Sequence, residues 1–557
     1  MDKPFAITLN PGSSLANKTG SWRTERPVYV DLLPPCNHAC PAGENIQQWL
    51  YHAEDSTGQP GGYEAAWRQI MQDNPLPAIM GRVCYRPCET ACNRAQLDAA
   101  VGINSVERFL GDEALRQGWT VPVTATDSGK RVLIVGGGPA GLSAAYHLRL
   151  LGHQVTVRDS AQWPGGMMRY GIPAYRLPRD VLDAEIGRIL AMGITWEGGR
   201  PVTDLEAAIS EGGFDAAFLA VGAQRGRHAD IPAGDSARIL DAVTLLHDMA
   251  GAHPPQLGRR VAVYGGGDTA MDAARTARRL GATDAVVIYR RTRERMPAHD
   301  VEVTEAADEG VRMMWLSTIA RAGEGHVTIE KMRLDETGFP QPTGEFTTLD
   351  ADTVVLALGQ EAELALLDGI PGVVIADGVV QVGPDQMTGR PGIFAGGDMV
   401  PAERTVTMAI GHGKRAAGAI DAYLKTRQAG NVAVPPAAAG QSAAEPRLAS
   451  YSRLNTWYYA DAPASVRPQL DAARRVTTFD EVTGGLDEQT AQFEARRCLS
   501  CGNCFECDNC YGACPDNAVV KLGPGHRYEI DLDYCKGCGI CAAECPCGAI
   551  DMTPERI

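Results

Sequence analysis

"RVLIVGGGPAGLSAAYHLRLLGHQVTVRD", residues 131–159, decides the fold. An apolar, β-rich run from Val132 to Val135 leads into Gly136, Gly138 and Gly141. A helical stretch opens at Pro139 and Ala140, and a second apolar run closes on Asp159. Strand, glycine turn, helix and strand make a dinucleotide-binding unit: the glycines permit a tight turn and let a pyrophosphate approach the helix N-terminus. A carboxylate about twenty residues on can hold a ribose hydroxyl.

Residues 260–298, "RVAVYGGGDTAMDAARTARRLGATDAVVIYRRTRERMPA", repeat the unit with Gly265, Gly267 and Ala270, and with Asp268 and Thr269 in the turn. Where the first unit ends on Asp159, this one carries Arg290 and Arg291. An acid suits a free 2′-hydroxyl and arginines suit a 2′-phosphate. The first site therefore fits FAD and the second fits NADP. "FLAVGAQ" (218–224, with Gly222) and "VVLALGQ" (354–360, with Gly359) are near-copies that bracket the arginine-bearing unit. They read as hinge crossovers of one nucleotide domain inserted into another. "IFAGGDMV" (393–400) places Gly397 and Asp398 after a buried strand, and "AIGHGKRAAGAI" opens a helix that can face a flavin.

A chain of 557 residues calls for three or more domains. Its 44% apolar and 22% charged content is that of a soluble globular protein. A net charge of −16 with no basic face argues against a nucleic-acid partner. No apolar run approaches the roughly 18–20 residues that span a bilayer, and "MDKPFAITLNPGSS" has no signal core. These features place the chain in the cytoplasm, where thiols stay reduced. Its 16 cysteines therefore read as metal ligands.

Their spacing divides them. Cys504, Cys507, Cys510 and Cys514, followed by Pro515, share a spacing with Cys535, Cys538, Cys541 and Cys545, followed by Pro546. This is the bacterial two-cluster ferredoxin pattern, in which the fourth cysteine of each run ligates the other cluster. One [4Fe–4S] cluster takes Cys504, Cys507, Cys510 and Cys545, and the other takes Cys535, Cys538, Cys541 and Cys514. Spacing gives no cluster to Cys498, Cys501 or Cys547. Cys36, Cys40, Cys84, Cys88 and Cys92 form a looser N-terminal group, separated by two stretches that read as short helices. Five thiols suffice for one cubane.

From about residue 35 to 425 the chain resembles the small subunit of bacterial glutamate synthase and the flavin half of dihydropyrimidine dehydrogenase. The resemblance rests on "CPAG", "NPLPAIMGRVCYRPCETAC", "GGGPAGLSAA", "PGGMMRYGIPAYRLPRDVL", "GGGDTAMDAART", "YRRTRERMPA" and "GGDMV". It implies FAD in the first nucleotide site and a nicotinamide cofactor in the second. It also lays Gly165, Gly166, Met167, Tyr170, Gly171, Ile172 and Arg176 along the flavin and puts Asp398 near the ribityl chain. It implies Cys40, Cys84, Cys88 and Glu107 as the N-terminal cluster ligands, leaving Cys36 and Cys92 as remnants of a lost second cluster. An all-cysteine set is the alternative. The ferredoxin tail resembles the small ferredoxin subunits of 2-oxoacid:ferredoxin oxidoreductases.

The expected architecture is multidomain α/β. A helical iron–sulfur cap (1–125) precedes a Rossmann-like FAD domain in two parts (126–224 and 353–427), with an NAD(P)H domain inserted (225–352). An Ala/Pro-rich linker (428–450) leads to a C-terminal segment with an α+β ferredoxin domain (451–557), which reads as a separable module. The expected function is electron transfer between NADPH (NADH as the other donor), FAD and three [4Fe–4S] clusters, to or from a ferredoxin or a 2-oxoacid:ferredoxin oxidoreductase in a hetero-oligomer. No side chain is assigned to acid, base or nucleophilic catalysis, because the cofactors carry the chemistry. A glutamate synthase small subunit and a non-catalytic redox scaffold or sensor are the alternatives.

Overall fold

Arg131–Val135 is the central strand of a five-stranded parallel sheet. The order is Ile393–Ala395, Ala216–Leu219, Arg131–Val135, Gln154–Arg158, Thr195–Glu197. Two of its inner strands, Arg131–Val135 and Ala216–Leu219, are apolar on both faces, as a covered parallel sheet requires. Val132, Ile134, Val155 and Val157 face one core, while Leu133, Val135, Ala217 and Leu219 face another. The structure is a computed structural model that describes residues 18–54, 62–227, 229, 231–233, 238–249, 251, 254–428 and 446–555.

The second dinucleotide unit builds its own parallel sheet, in the order Arg312–Met314, Asp284–Ile288, Arg260–Gly265, Thr353–Ala357, Ile239–Asp241. Strand Thr353–Ala357 lies inside this sheet, paired to Val261–Gly265, although the sequence boundary assigned it to the FAD domain. The correction has a simple cause. This strand's buried backbone groups are paired on both edges by Val261–Gly265 and Ile239–Asp241, and its faces are covered by the two cores of the inserted domain, so the crossover comes only after it. The crossovers themselves pair: Gln360 and Glu361 run antiparallel to Gly226 and Arg225. An antiparallel sheet not read from the sequence, Ser317–Gly323, His326–Leu334 and Pro340–Asp350, packs Ile319, Val327 and Ile329 against Val286, Ile288 and Val354.

The cap contains helices Ile46–Glu54, Gly62–Ile70, Pro77–Val83 and Ile103–Gln117. Trp67, Leu76, Ile79 and Met80 enter the same core as Val132, Phe218 and Ile410, so cap and FAD domain fold on one another.

The tail departs from the separable module expected of it. Most of the linker, residues 429–445, lies outside the described residues. From Arg447 the chain runs along the cap, with hydrogen bonds from Leu33 N to Arg447 O (2.9 Å) and from Ala449 N to Leu33 O (3.0 Å). Helix Glu488–Arg496 then packs on Ile46–Glu54 and Ile103–Gln117. The ferredoxin region ends in strand Ile550–Pro554, which pairs antiparallel with Glu25–Tyr29 near the other end of the chain.

Glu494, fully buried, fixes this docking. Its carboxylate accepts from Gly102 N (2.6 Å) and Ser465 N (2.8 Å) and pairs with the buried Arg497, whose guanidinium also reaches Ala99 O (2.7 Å) and Ala100 O (3.0 Å). Breaking a buried pair on one side costs about 3–5 kcal/mol. Glu494→Ala is therefore expected to lower the Tm of the holoprotein, measured by scanning calorimetry. A Tm equal to wild type would show that the tail is not held here.

Candidate functional site

Two glycine turns face one cleft. At the first, Gly136 has φ +111°, and a Cβ on Gly141 would lie 1.9 Å from Gly136 O, so the turn closes only around glycine. A Cβ on Gly138 would meet nothing nearer than Gly166 Cα at 3.8 Å, and one on Gly267 would meet nothing within 4 Å. These two positions open onto the cleft, at the N-termini of the 12-residue helices Pro139–Leu150 and Asp268–Arg279. Each presents unpaired N–H groups and the positive end of a helix dipole, which suits a pyrophosphate.

The cleft encloses about 1980 Å³ including its open mouth. Of the residues expected from sequence, Gly138, Pro139, Ala140, Asp159, Gly166, Met167, Gly171, Ile172, Arg176, Gly222, Gly267, Asp268, Thr269, Gly359, Gly397 and Asp398 line it. Gly136, Gly141 and Ala270 stand behind the turns, Gly165 N donates to Gly137 O (2.8 Å), and the Tyr170 ring stacks on His247 at 4.8 Å. Asp159 accepts from Gly137 N (2.6 Å) and Ala161 N (2.8 Å) and is 8% exposed, beside the first turn. Arg176 is spent within the protein: its guanidinium pairs with Asp272 (2.7 Å) and Glu302 (2.6 Å) of the inserted domain. Burial raises the Asp398 carboxyl to about 6.

A second lobe, lined by Gly265, Gly267, Thr269 and Gly359, carries Arg290 and Arg291 on its wall. Arg290 is exposed, and neither arginine forms an ion pair among the described residues.

The thiols cluster in four places. Cys514, Cys535, Cys538 and Cys541 line one cavity, the crossed set expected from the spacing. Cys504, Cys507, Cys510 and Cys545 neighbour one another, with Cys510 accepting from or donating to Tyr29 Oη at 3.3 Å. In the cap, Cys88 has Cys84, Cys40 and Glu107 around it, and burial holds all these thiols well above their ordinary range. Asn74 clamps Glu107 (2.8 Å) beside Glu44 (3.0 Å), and burial pushes Glu107 well up. Cys84 sits between the cleft residues Val83 and Tyr85 and receives the Thr407 hydroxyl at 3.3 Å. Sequence reading missed Glu44 and Thr407, which only the folded chain brings to the thiols. It also gave no role to Cys498 and Cys501, which lie with Cys36 and Cys92 around a fourth cavity.

Comparison with known proteins agrees with this layout. The family described as pyridine nucleotide-disulphide oxidoreductase matches residues 130–413. Dihydropyrimidine dehydrogenase domain II, 4Fe-4S cluster, matches 28–119, and the 4Fe-4S dicluster domain matches 503–549. The chain is 36% identical to the NADP(+)-dependent formate dehydrogenase subunit beta of Moorella thermoacetica, over 84% of this chain and 71% of that one. It is 31% identical to the NADPH-Fe(3+) oxidoreductase subunit beta of Geobacter sulfurreducens, over 85% and 76%. It is 34% identical to the glutamate synthase [NADPH] small chain of Azospirillum brasilense, over 72% and 89%. No helix among the described residues is long and apolar enough to cross a membrane.

Behind the cleft, His412 accepts from Gly397 N at Nδ1 (3.0 Å). Burial, with Arg415 nearby, lowers this histidine to about 4. The unfolded chain then binds a proton that the folded one refuses, so stability falls as pH drops from the unfolded value of about 6.5 towards 4. His412→Gln is expected to flatten that limb in Tm measurements between pH 4 and 7. An unchanged slope would remove His412 from the acid response.

Proposed function

Because the chain belongs to the pyridine nucleotide-disulphide oxidoreductase family, with an iron–sulfur domain towards each end, we propose that it is the electron-transfer subunit of a larger complex, exchanging electrons between NADPH and a partner through FAD and [4Fe–4S] clusters. The observation that carries this reading is the shared cleft. Two glycine-opened helix N-termini face it, and Cys84 falls in the chain between the lining residues Val83 and Tyr85.

The residues fit the groups. The open positions at Gly138 and Gly267 are cradles that any side chain would fill. Asp159 and the Gly138 turn would hold the adenosine half of FAD. Gly166, Met167, Gly171 and Ile172 would flank the ring, and Asp398 would face the ribityl chain at the start of helix Val406–Gln428. Gly267 and Thr269 would hold the NADPH pyrophosphate, with Arg290 and Arg291 at the 2′-phosphate. Cys40, Cys84, Cys88 and Glu107 would ligate one cluster. Cys504, Cys507, Cys510 and Cys545, and Cys514, Cys535, Cys538 and Cys541, would ligate two more. When bound, FAD supplies the exchange between paired and single electrons that nicotinamide and iron–sulfur chemistry demand. The chain itself positions, orients and insulates. Asp398 is protonated below about pH 6 and charged above it. The buried Glu44–Asn74–Glu107 set fixes the carboxylate at the cap cluster.

The partner in this reading is a ferredoxin or a 2-oxoacid:ferredoxin oxidoreductase. The relatives named as formate dehydrogenase and Fe(3+) oxidoreductase subunits support the broader point that such a chain serves another catalytic subunit. The test is anaerobic titration of the purified protein with NADPH, followed by ferredoxin. Bleaching of a bound FAD and subsequent ferredoxin reduction are expected. Bound flavin that NADPH does not bleach would favour the scaffold alternative.

Arg290→Ser/Arg291→Ser removes two charge-assisted contacts to phosphate. With Arg290 exposed to solvent, the two together are worth about 1.5–3 kcal/mol, so the NADPH KM should rise about 10- to 100-fold. The NADH KM should stay within about threefold, in steady-state dye-reduction assays. A wild-type enzyme that prefers NADH would overturn the assignment.

A further inference from the structure

Sequence spacing sets Cys36 and Cys92 aside as remnants and gives Cys498 and Cys501 no role. The fold brings these four together. Cys36 and Cys92 reach one cavity from the cap, and Cys498 and Cys501 reach it from the tail, just after helix Glu488–Arg496. Leu50, Val101, Ile103 and Leu499 complete an apolar wall. The cavity holds about 360 Å³ between its atoms. The ferredoxin cavity lined by Cys514, Cys535, Cys538 and Cys541 holds about 340 Å³. Cys36 has Cys498, Cys92 and Cys501 as its charged neighbours, so the thiols face inward on one another.

The geometry points to a fourth [4Fe–4S] cluster, held by Cys36 and Cys92 from the cap and by Cys498 and Cys501 from the tail. This inference rests on the electron-relay reading above. A lone zinc would draw its thiolates to roughly 2.3 Å. Among the described residues no three His, Cys, Asp or Glu close on a single ion, and that holds for the ferredoxin cysteines as well. A cubane takes one thiolate at each corner, and this cavity has four thiols and nearly the volume of the ferredoxin one.

The site also has the right neighbours for a relay. Cys36 and Cys92 each stand four residues from a ligand of the cap cluster, Cys40 and Cys88, within about 14 Å along the chain. Cys501 stands three residues before Cys504, within about 11 Å. The fourth cluster therefore bridges the cap cluster beside the cleft and the ferredoxin pair. Oxidation of NADPH to NADP⁺ releases one proton and two electrons. Through a cluster held here the electrons would pass singly, each reducing and then reoxidising it, with no bond made or broken.

The test is anaerobic iron, zinc and FAD analysis of the reconstituted full-length chain, for wild type and Cys498→Ser/Cys501→Ser. About sixteen irons per FAD are expected in wild type and about twelve in the variant, with one cluster's spin lost from the reduced EPR spectrum. About twelve in both proteins overturns the fourth cluster and leaves the relay reading standing, as does one zinc per chain beside about twelve irons. Wild type without FAD, or with fewer than about eight irons, overturns both. Should the double variant not fold, the wild-type count decides. Cys501→Ser alone is then expected to give a three-iron signal when oxidised, and an unchanged spectrum overturns the proposal.

Discussion

The clasp between tail and cap is the constraint on which the arrangement of thiols depends. Glu494 and Arg497 are buried at that contact and hydrogen-bonded to backbone groups of the cap and tail. A buried charge tolerates no loss of its partners, so helix Glu488–Arg496 has one seat and Cys498 and Cys501 follow it there. The strand pair Glu25–Tyr29 with Ile550–Pro554 closes the other end of the same contact. Iron–sulfur groups that pass single electrons need fixed, short separations. A tail swinging on a flexible linker would not supply them.

The inserted nucleotide domain is held differently. Its two apolar cores are separate from the core shared by cap and FAD sheet. Across the boundary, Arg176 pairs with Asp272 and Glu302, and Tyr175 lies under the guanidinium groups of Arg275 and Arg279 at 4.8 and 3.7 Å. Arg275 is itself surrounded by Glu302, Glu305 and Glu309. Charge pairs and stacked rings fix an orientation by direction as well as by contact, which suits a domain that must point a nicotinamide at a flavin. The paired crossovers at Arg225–Gly226 and Gln360–Glu361 supply the covalent hinge.

The residues legible in advance were those whose chemistry is local. A glycine that alone permits a turn, a strand that ends on an acid, and cysteines at a repeated spacing each announce themselves within a few positions. Both dinucleotide units and the repeated ferredoxin spacing were read on that basis. Arg176 shows the limit. Its motif places it along the flavin, yet Asp272 and Glu302, distant in sequence, hold its guanidinium.

Sequence by itself determined the two nucleotide turns and the ferredoxin spacing, because each is written in backbone conformation or ligand periodicity over one short segment, and the insertion of one nucleotide domain in another, because two near-copied segments bracket it. Tertiary structure decided that Thr353–Ala357 belongs to the inserted sheet, since strands distant in sequence pair its backbone on both edges. It also decided that Cys36, Cys92, Cys498 and Cys501 share one cavity. No periodicity links residues some four hundred positions apart. Their meeting is set by the buried charges and strand pairing that close the two ends of the chain on each other.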